Sequence, residues 1–525
     1  MRMRLFTGTI LLILLSLLLP ACKHTEQDSL ITVYFNKDKG HVNKKVYGNN
    51  IIAYDPMTYE NWAKEYYGFS DYGAGIWDPL QNKSVKRVVE LAKDAGITVL
   101  RFPGGCGSHH YVWKETIGNK RQHFLYGIDE FLRTCEEIGA EPIITVSYFT
   151  GTAHDEADLV EYLNAQDDGK NSNGGIDWAK KRAENGHQLP YNVKYFEIGN
   201  EVYHGDHKSI RKISGKDYGL RYLSYYDAMK AVDPSIKIGA VLYDKDWDRA
   251  VSEIIKDKLD FGIIHVYPTP KSGKKIEQMD PEEIFKISLA IPVFRHEAVV
   301  QDTLSLLKRN SGKDIPLAVT EYNSGFVQEE PVPYRHCLGT ALINAELLRI
   351  FMKPEYKILM ANHWNFNNGY TGMIKSEKDF IGHGNNHPVN YIKRPNYYVF
   401  EMYNKHFGSE LIEVDVKSSS YNIEEFSAPY LSVNASSSED KKKIFLMVIN
   451  KNLNNIVKTV IDLRDFDPSM NGKAWVLTGQ GIAATNETNP DSVKVVDKEF
   501  KINSSVFEFS FKPCSLTAIE INRRK

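Results

Sequence analysis

The chain has 525 residues, of which 42% are hydrophobic and 25% charged. That is enough apolar material for a large core, and too long for one typical domain. The formal net charge is −2 and no long run of one sign occurs, which excludes the electrostatic footprint of a nucleic-acid binder. Thirty tyrosines bring the aromatic share to 12%, suited either to packing or to stacking against sugar rings.

Arg2 and Arg4 precede an apolar stretch from Ile10 to Leu19, too short to span a bilayer but suited to an export signal. It ends in "LLLPAC", which resembles a bacterial lipoprotein signal. That resemblance implies acylation at Cys22, a polar tether over residues 23–30, and a membrane-anchored protein of the cell envelope. The other cysteines, Cys106, Cys135, Cys337 and Cys514, form no CxxC or Cys/His spacing of a zinc site. Cys135 lies on an apolar helical face and is expected in the core.

Residues 31–45, beginning "ITVYFN", precede the main domain and are expected to lend a strand to a later sheet. Eight apolar runs follow: "VYGNNIIAY" (46–54), "ITVLRFP" (97–103), "EPIITVS" (141–147), "VKYFEIG" (193–199), "IKIGAVLY" (236–243), "FGIIHVY" (261–267), "PLAVTEY" (316–322) and "YKILMANHW" (356–364). Several lack alternation, as parallel strands covered on both faces do. Helical patterns separate most of them. Val85, Val88, Val89 and Ala92 share a face ended by Gly96; Ile128, Phe131, Leu132, Cys135 and Ile138 repeat the pattern before Gly139; Leu220, Leu223, Met229 and Val232 mark a third. Eight strand–helix alternations predict an α/β fold, a (β/α)8 TIM barrel over 46–404. From 405 to 525 short strands such as "KIFLMVINKN", "KTVIDLRDF" and "VFEFSF" alternate with polar turns, predicting a C-terminal antiparallel β-sandwich.

Catalytic groups of such a barrel stand at the carboxyl ends of its strands. There the sequence puts Arg101, Asn200-Glu201, His265, Tyr267, Glu321, and His363-Trp364. A lone strand-ending glutamate is more often an ion-pair member. Two that converge on one mouth are what glycoside hydrolysis with retention needs: a nucleophile and an acid/base.

With "LRFPGG" (100–105), "IDEFLRTCEEIGAEP" (128–142), "TGTAHDEADLVEYLN" (150–164), "EIGNE" (197–201), "HVY" (265–267) and "PNYYVFEMYNKHFG" (395–408), the chain resembles glycoside hydrolase family 51, the α-L-arabinofuranosidases. The resemblance covers most of the barrel and continues into the C-terminal domain. It implies Glu201 as acid/base, Glu321 as nucleophile, Arg101 as a partner of that nucleophile, Asn200 as a sugar contact, and Tyr267 and His265 in the site. It implies a carbohydrate substrate from plant-type glycans and neither metal nor cofactor; oligomeric state stays open. Cys106 stands where the family usually has Asn, Ile52 where it has a sugar-binding Glu, and Trp113 is the candidate for a tryptophan missing from the loop after the second strand. These positions bear on which sugar is recognised. A β-xylosidase or endo-glucanase on the same scaffold, and a silent glycan-binding lipoprotein, are the competing readings. A metal hydrolase built on His109-His110 is disfavoured, because adjacent loop histidines cannot readily face one ion.

Overall fold

A computed structural model gives the architecture. It describes residues 29–51, 75–78, 81–118, 121, 126–171, 173–207, 209–270, 275–325, 332, 334–367, 371–376 and 391–524. The expected export signal, Cys22, most of the expected tether and Ile52 lie outside the described residues. None of the described helices is long and apolar enough to cross a membrane.

Strand β1 is Ser29–His41, and the barrel strands are β2 Gly48–Asn50, β3 Val99–Phe102, β4 Glu141–Val146, β5 Tyr195–Ile198, β6 Lys237–Val241, β7 Phe261–Val266, β8 Leu317–Tyr322 and β9 Ile358–His363. β2 to β9 pair in parallel and close, β9 against β2, into a barrel. Its eight strands are the eight apolar runs of the sequence.

The interior is layered by the two-residue period of each strand. Val99, Ile143, Tyr195, Phe261, Ile263, Ala318 and Met360 form one apolar cluster on the axis. Two residues further along their strands come Arg101, Thr145, Glu197, His265, Thr320 and Asn362, a polar layer. The barrel therefore changes from plug to chemistry within one side-chain step.

The helix Gly215–Val232 corrects an expectation. Leu220 is 54% exposed, and the buried face is made by Tyr218, Tyr222, Tyr225 and Met229. The tyrosine rings supply the apolar contact while their hydroxyls donate to backbone carbonyls of strands and loop: Tyr218 to Ile198 O at 2.9 Å, Tyr222 to Ile238 O at 3.2 Å, Tyr225 to Gly151 O at 2.6 Å. Buried tyrosine is stable there only because those partners exist.

The C-terminal domain holds β10 Glu410–Lys417, β11 Leu431–Ser437, β12 Lys443–Asn450, β13 Val457–Arg464, β14 Pro468–Thr478, β15 Lys494–Lys501, β16 Val506–Phe511 and β17 Ser515–Arg523. With β1 they form one nine-stranded sheet in the order β15-β14-β17-β12-β11-β10-β1-β13-β16. The sheet is not wholly antiparallel: β1 inserts between β10 and β13 and runs parallel to β13. In β12, Ile444, Leu446 and Val448 face the sheet's own core while Met447 and Ile449 join the barrel's. Burial on both faces explains why "KIFLMVIN" shows no polar alternation.

Charges are also buried where the two domains meet. Glu346, on the helix Leu338–Phe351, takes Arg349 at 2.7 Å and Lys451 at 3.4 Å, and Lys451 donates to Ser432 at 2.7 Å. Burial favours the neutral acid, but Arg349 and Lys451 outweigh it and hold the Glu346 carboxyl down at about 2. Its stabilisation is thus present above the ordinary carboxylate range and is lost as pH falls towards 2. Glu346→Gln leaves Lys451 buried without its counter-charge. It is expected to cost about 3–5 kcal/mol, read as a lower denaturation midpoint; an unchanged midpoint would show that the cluster contributes nothing.

Candidate active site

Arg101 organises the mouth of the barrel. Fully buried at the end of β3, its guanidinium donates from Nη1 to Glu321 at 3.0 Å and to Asn50 at 3.1 Å, and from Nη2 to Asn200 Oδ1 at 2.7 Å. Its Nε pairs with Glu197, which Thr145 also reaches. A planar fork with five fixed donors is suited to holding several acceptors in one plane. With its amide oxygen engaged by Arg101, Asn200 points its NH2 group at Cys106 Sγ, 3.6 Å away.

Glu321 reaches the site through an irregularity. Pairing of β8 with β7 shifts register between Val319 and Glu321. Thr320 bonds inward to His265 Nε2 at 3.1 Å, yet Glu321, its neighbour, also faces the axis, accepting from Arg101 and from Tyr267 OH at 2.7 Å. In a regular strand adjacent side chains point to opposite faces, so the bulge is what re-aims this carboxylate.

Glu201 arrives by a different route. β5 ends at Ile198, Gly199 turns with φ 78°, and Glu201 itself is left-handed at φ 40°, ψ 36°. An added Cβ on Gly199 would lie 2.6 Å from Val202 and 2.9 Å from Tyr148, so only glycine fits this turn. The Glu201 carboxylate is bonded to His265 Nδ1 at 2.8 Å and accepts from Tyr203 OH at 3.1 Å. Tyr203 is held in turn by stacking on Tyr243 at 3.9 Å.

Oxygen atoms of Glu201 and Glu321 and a ring nitrogen of His265 lie within 4.8 Å of one another. The carboxylates are thus at the close spacing of retaining glycosidases, about 5–5.5 Å, and short of the 6.5–9.5 Å that leaves room for an inverting water. Their environments differ. Glu321 is tied by a guanidinium and a phenol, with its side chain 8% exposed; Glu201 is 22% exposed and tied to a titratable imidazole. Burial favours a neutral Glu201, but the hydrogen bond and charge of His265 outweigh it and hold the carboxyl down at about 2. Burial opposes the imidazolium, yet the charges of Glu321 and Glu201 raise His265 above its ordinary value. One proton is therefore shared by the pair and rests on His265 in the free site. The Cys106 thiol is pushed far above its usual pKa by burial and by both carboxylates, so it carries its proton.

The structure thus brings Arg101, Asn200, Glu201, His265, Tyr267, Glu321 and Cys106 together. Trp364 adjoins them: a Cβ on Gly105 would fall 2.5 Å from its ring, which is why "PGG" follows β3. His363 is not part of the group. It is fully buried, in ring contact with Tyr322 and Phe400 and near Asn344 on the helix Leu338–Phe351. Strand alternation turns it outward onto the helices. Nor does Trp113 face sugar: it is packed on Trp178 and Tyr162, its indole donating to Asp155 O at 3.1 Å. Asn50, Glu197 and Tyr203 were not singled out from sequence. A charged residue two before Gly199 in an apolar strand was the available signal for Glu197.

Two family profiles match: "Alpha-L-arabinofuranosidase 1 domain" over residues 91–283 and "Alpha-L-arabinofuranosidase C-terminal domain" over 321–515. The chain belongs to the α-L-arabinofuranosidases of glycoside hydrolase family 51. It is 25% identical to an intracellular exo-α-L-arabinofuranosidase of Bacteroides ovatus, over 94% of this chain and 96% of that protein. A probable α-L-arabinofuranosidase C of Aspergillus niger is 24% identical, over 89% and 94%. Among solved structures, the Thermotoga maritima α-L-arabinofuranosidase in complex with arabinose superposes with a TM-score of 0.78 at 26% identity, covering 94% of this chain and all of that one. The family 51 arabinofuranosidase of Thermotoga petrophila gives 0.77 at 25%. This enzyme is therefore a retaining glycoside hydrolase of the arabinofuranosidase type.

Proposed function

We propose that this arabinofuranosidase removes terminal α-L-arabinofuranosyl residues from plant-type glycans by double displacement, with Glu321 as nucleophile and Glu201 as acid/base. The observation that carries the mechanism is the pair of carboxylates within 4.8 Å, one clamped by Arg101 and one sharing a proton with His265. A nucleophile must be held in line with the anomeric carbon, and the Arg101 and Tyr267 donors fix the Glu321 carboxylate in one orientation. An acid/base must exchange its proton, and Glu201 has a titratable partner.

In the first step an oxygen of Glu321 bonds to the anomeric carbon as the glycosidic bond breaks. Glu201 delivers the shared proton to the leaving oxygen, His265 having returned it. In the second step Glu201 takes a proton from water, whose oxygen bonds to the anomeric carbon and frees Glu321. Counting Arg101 as positive, Glu197 and Glu321 as negative, and the Glu201–His265 pair as neutral, the free site carries one net negative charge. That field stabilises an oxocarbenium-like transition state. The Asn200 amide is the group placed to donate to a sugar hydroxyl beside the anomeric carbon.

Assay on a panel of aryl glycosides tests the sugar. Release from the α-L-arabinofuranoside and not from the β-xyloside or β-glucoside is expected; turnover restricted to another sugar refutes the specificity while leaving the carboxylate chemistry standing. "LLLPAC" supports a further reading, that export and acylation at Cys22 hold the enzyme on the cell envelope. A Cys22→Ser form that is processed and partitions into detergent like the parent would remove it.

A further inference from the structure

Two groups of side chains in the described residues converge closely enough to hold a metal ion. One is Glu201, His265 and Glu321, whose potential ligand atoms are already engaged with one another and with Thr320, Tyr203, Tyr267 and Arg101. The other is Cys106, His109 and His207, whose sulfur and ring nitrogens lie within 4.8 Å of one another. Here the hydrogen bonding does not close. His109 is fully buried and neither of its ring nitrogens has a hydrogen-bond partner among the described residues. A buried imidazole without a partner has lost its hydration and gained nothing in exchange. Packing alone gives no reason to keep one there, since an aromatic ring of similar size would fill the space without that penalty.

We propose that Cys106, His109 and His207 form a three-ligand site for a soft divalent cation of the zinc type. The donor set is two imidazoles and the sulfur of Cys106, which gives up its proton as the ion binds, the combination that zinc favours over magnesium or calcium. Zinc–ligand bonds of about 2.0–2.3 Å put tetrahedral donors roughly 3.3–3.6 Å apart. Cys106 Sγ and His207 Nε2 stand 3.3 Å apart. His207 is solvent-exposed and can adjust to bring the remaining separations to that value. Three protein ligands leave the fourth position for water or a hydroxyl of the sugar. Cys106 and His109 belong to the segment Gly105–His110 after β3, while His207 follows the Val202–His204 turn after β5. The ion clips two loops of the barrel mouth together, directly beside Asn200, which points at the same sulfur. The site is separate from the hydrolytic chemistry, which passes through the carboxylates.

The full-length protein, freed of metal with a chelator, should take up one equivalent of Co2+ as a spectroscopic stand-in for zinc. The bound ion should show thiolate-to-cobalt charge transfer in the near ultraviolet and the intense visible bands of tetrahedral cobalt. Zn2+ should displace it and raise the melting temperature, because it binds the folded chain. Cys106→Ser should abolish the charge-transfer band. His207→Asn keeps a residue tolerant of the left-handed backbone there, φ 58°, so folding is not at issue. It should weaken binding at least about 100-fold, the upper end of what loss of mere outer-shell support costs. Cobalt bound without a thiolate band, a band that survives in Cys106→Ser, or parental affinity in His207→Asn would each overturn the proposal.

Discussion

Glu321→Ala is expected to lower turnover of every substrate by about 10⁵–10⁶-fold, the scale on which loss of a covalent nucleophile is felt. The cause is specific: no other described group near Arg101 can replace the attacking oxygen, since Glu197 is fully buried in its own pairing with Arg101 and Thr145. Shortening the side chain to a methyl also opens space beside Arg101 Nη1, which stood 3.0 Å from the carboxylate. Azide can enter it, attack the anomeric carbon from the face opposite the leaving group, and use Glu201 as the intact acid. The product should be the glycosyl azide of inverted configuration, and it should accumulate because nothing remains to attack it. A glycosyl azide of retained configuration would falsify the assignment and exchange the roles of the two glutamates.

Glu201→Ala should show the opposite asymmetry. Substrates with poor leaving groups need protonation and should lose about 10²–10⁴-fold. A dinitrophenyl glycoside departs unassisted, so it should still load Glu321. Water is then no longer activated, the glycosyl-enzyme accumulates, and a burst with a low apparent KM follows. Azide should accelerate breakdown and give a product of retained configuration. The pH profile gives a second readout. The parent's acid step needs the proton that Glu201 shares with His265, and His265 is raised above its ordinary value by the charges of Glu321 and Glu201. The alkaline limb of kcat/KM should therefore lie above the usual imidazole range, and should vanish for the dinitrophenyl substrate in Glu201→Ala. Equal losses on good and poor leaving groups, in a folded variant indifferent to azide, would make Glu201 a positioning residue.

Glu201 shows how far sequence reasoning reaches and where it stops. The expectation that an acid/base has a pKa near the operating pH is a statement about function. In the structure the carboxyl by itself is held at about 2, and the group raised above its ordinary value is its partner imidazole. The partner lies 64 positions away at the end of β7, and nothing local to "EIGNE" names it. The same holds for the candidate metal ligands: His207 and Cys106 are separated by 101 positions, and no short spacing motif spans that distance.

By itself the sequence determined the eight barrel strands, since parallel strands buried on both faces must be apolar runs and their helices must carry a 3.6-residue stripe. It also determined that two glutamates stand at strand ends, because strand length and terminating residues are local properties. The tertiary structure alone decided which way those side chains point. A register shift at Val319/Glu321 turns Glu321 inward, ordinary alternation turns His363 outward, and a left-handed Glu201 after Gly199 lifts the second carboxylate to meet the first. Direction depends on pairing register, and register is set by neighbouring strands distant in sequence rather than by the residues themselves.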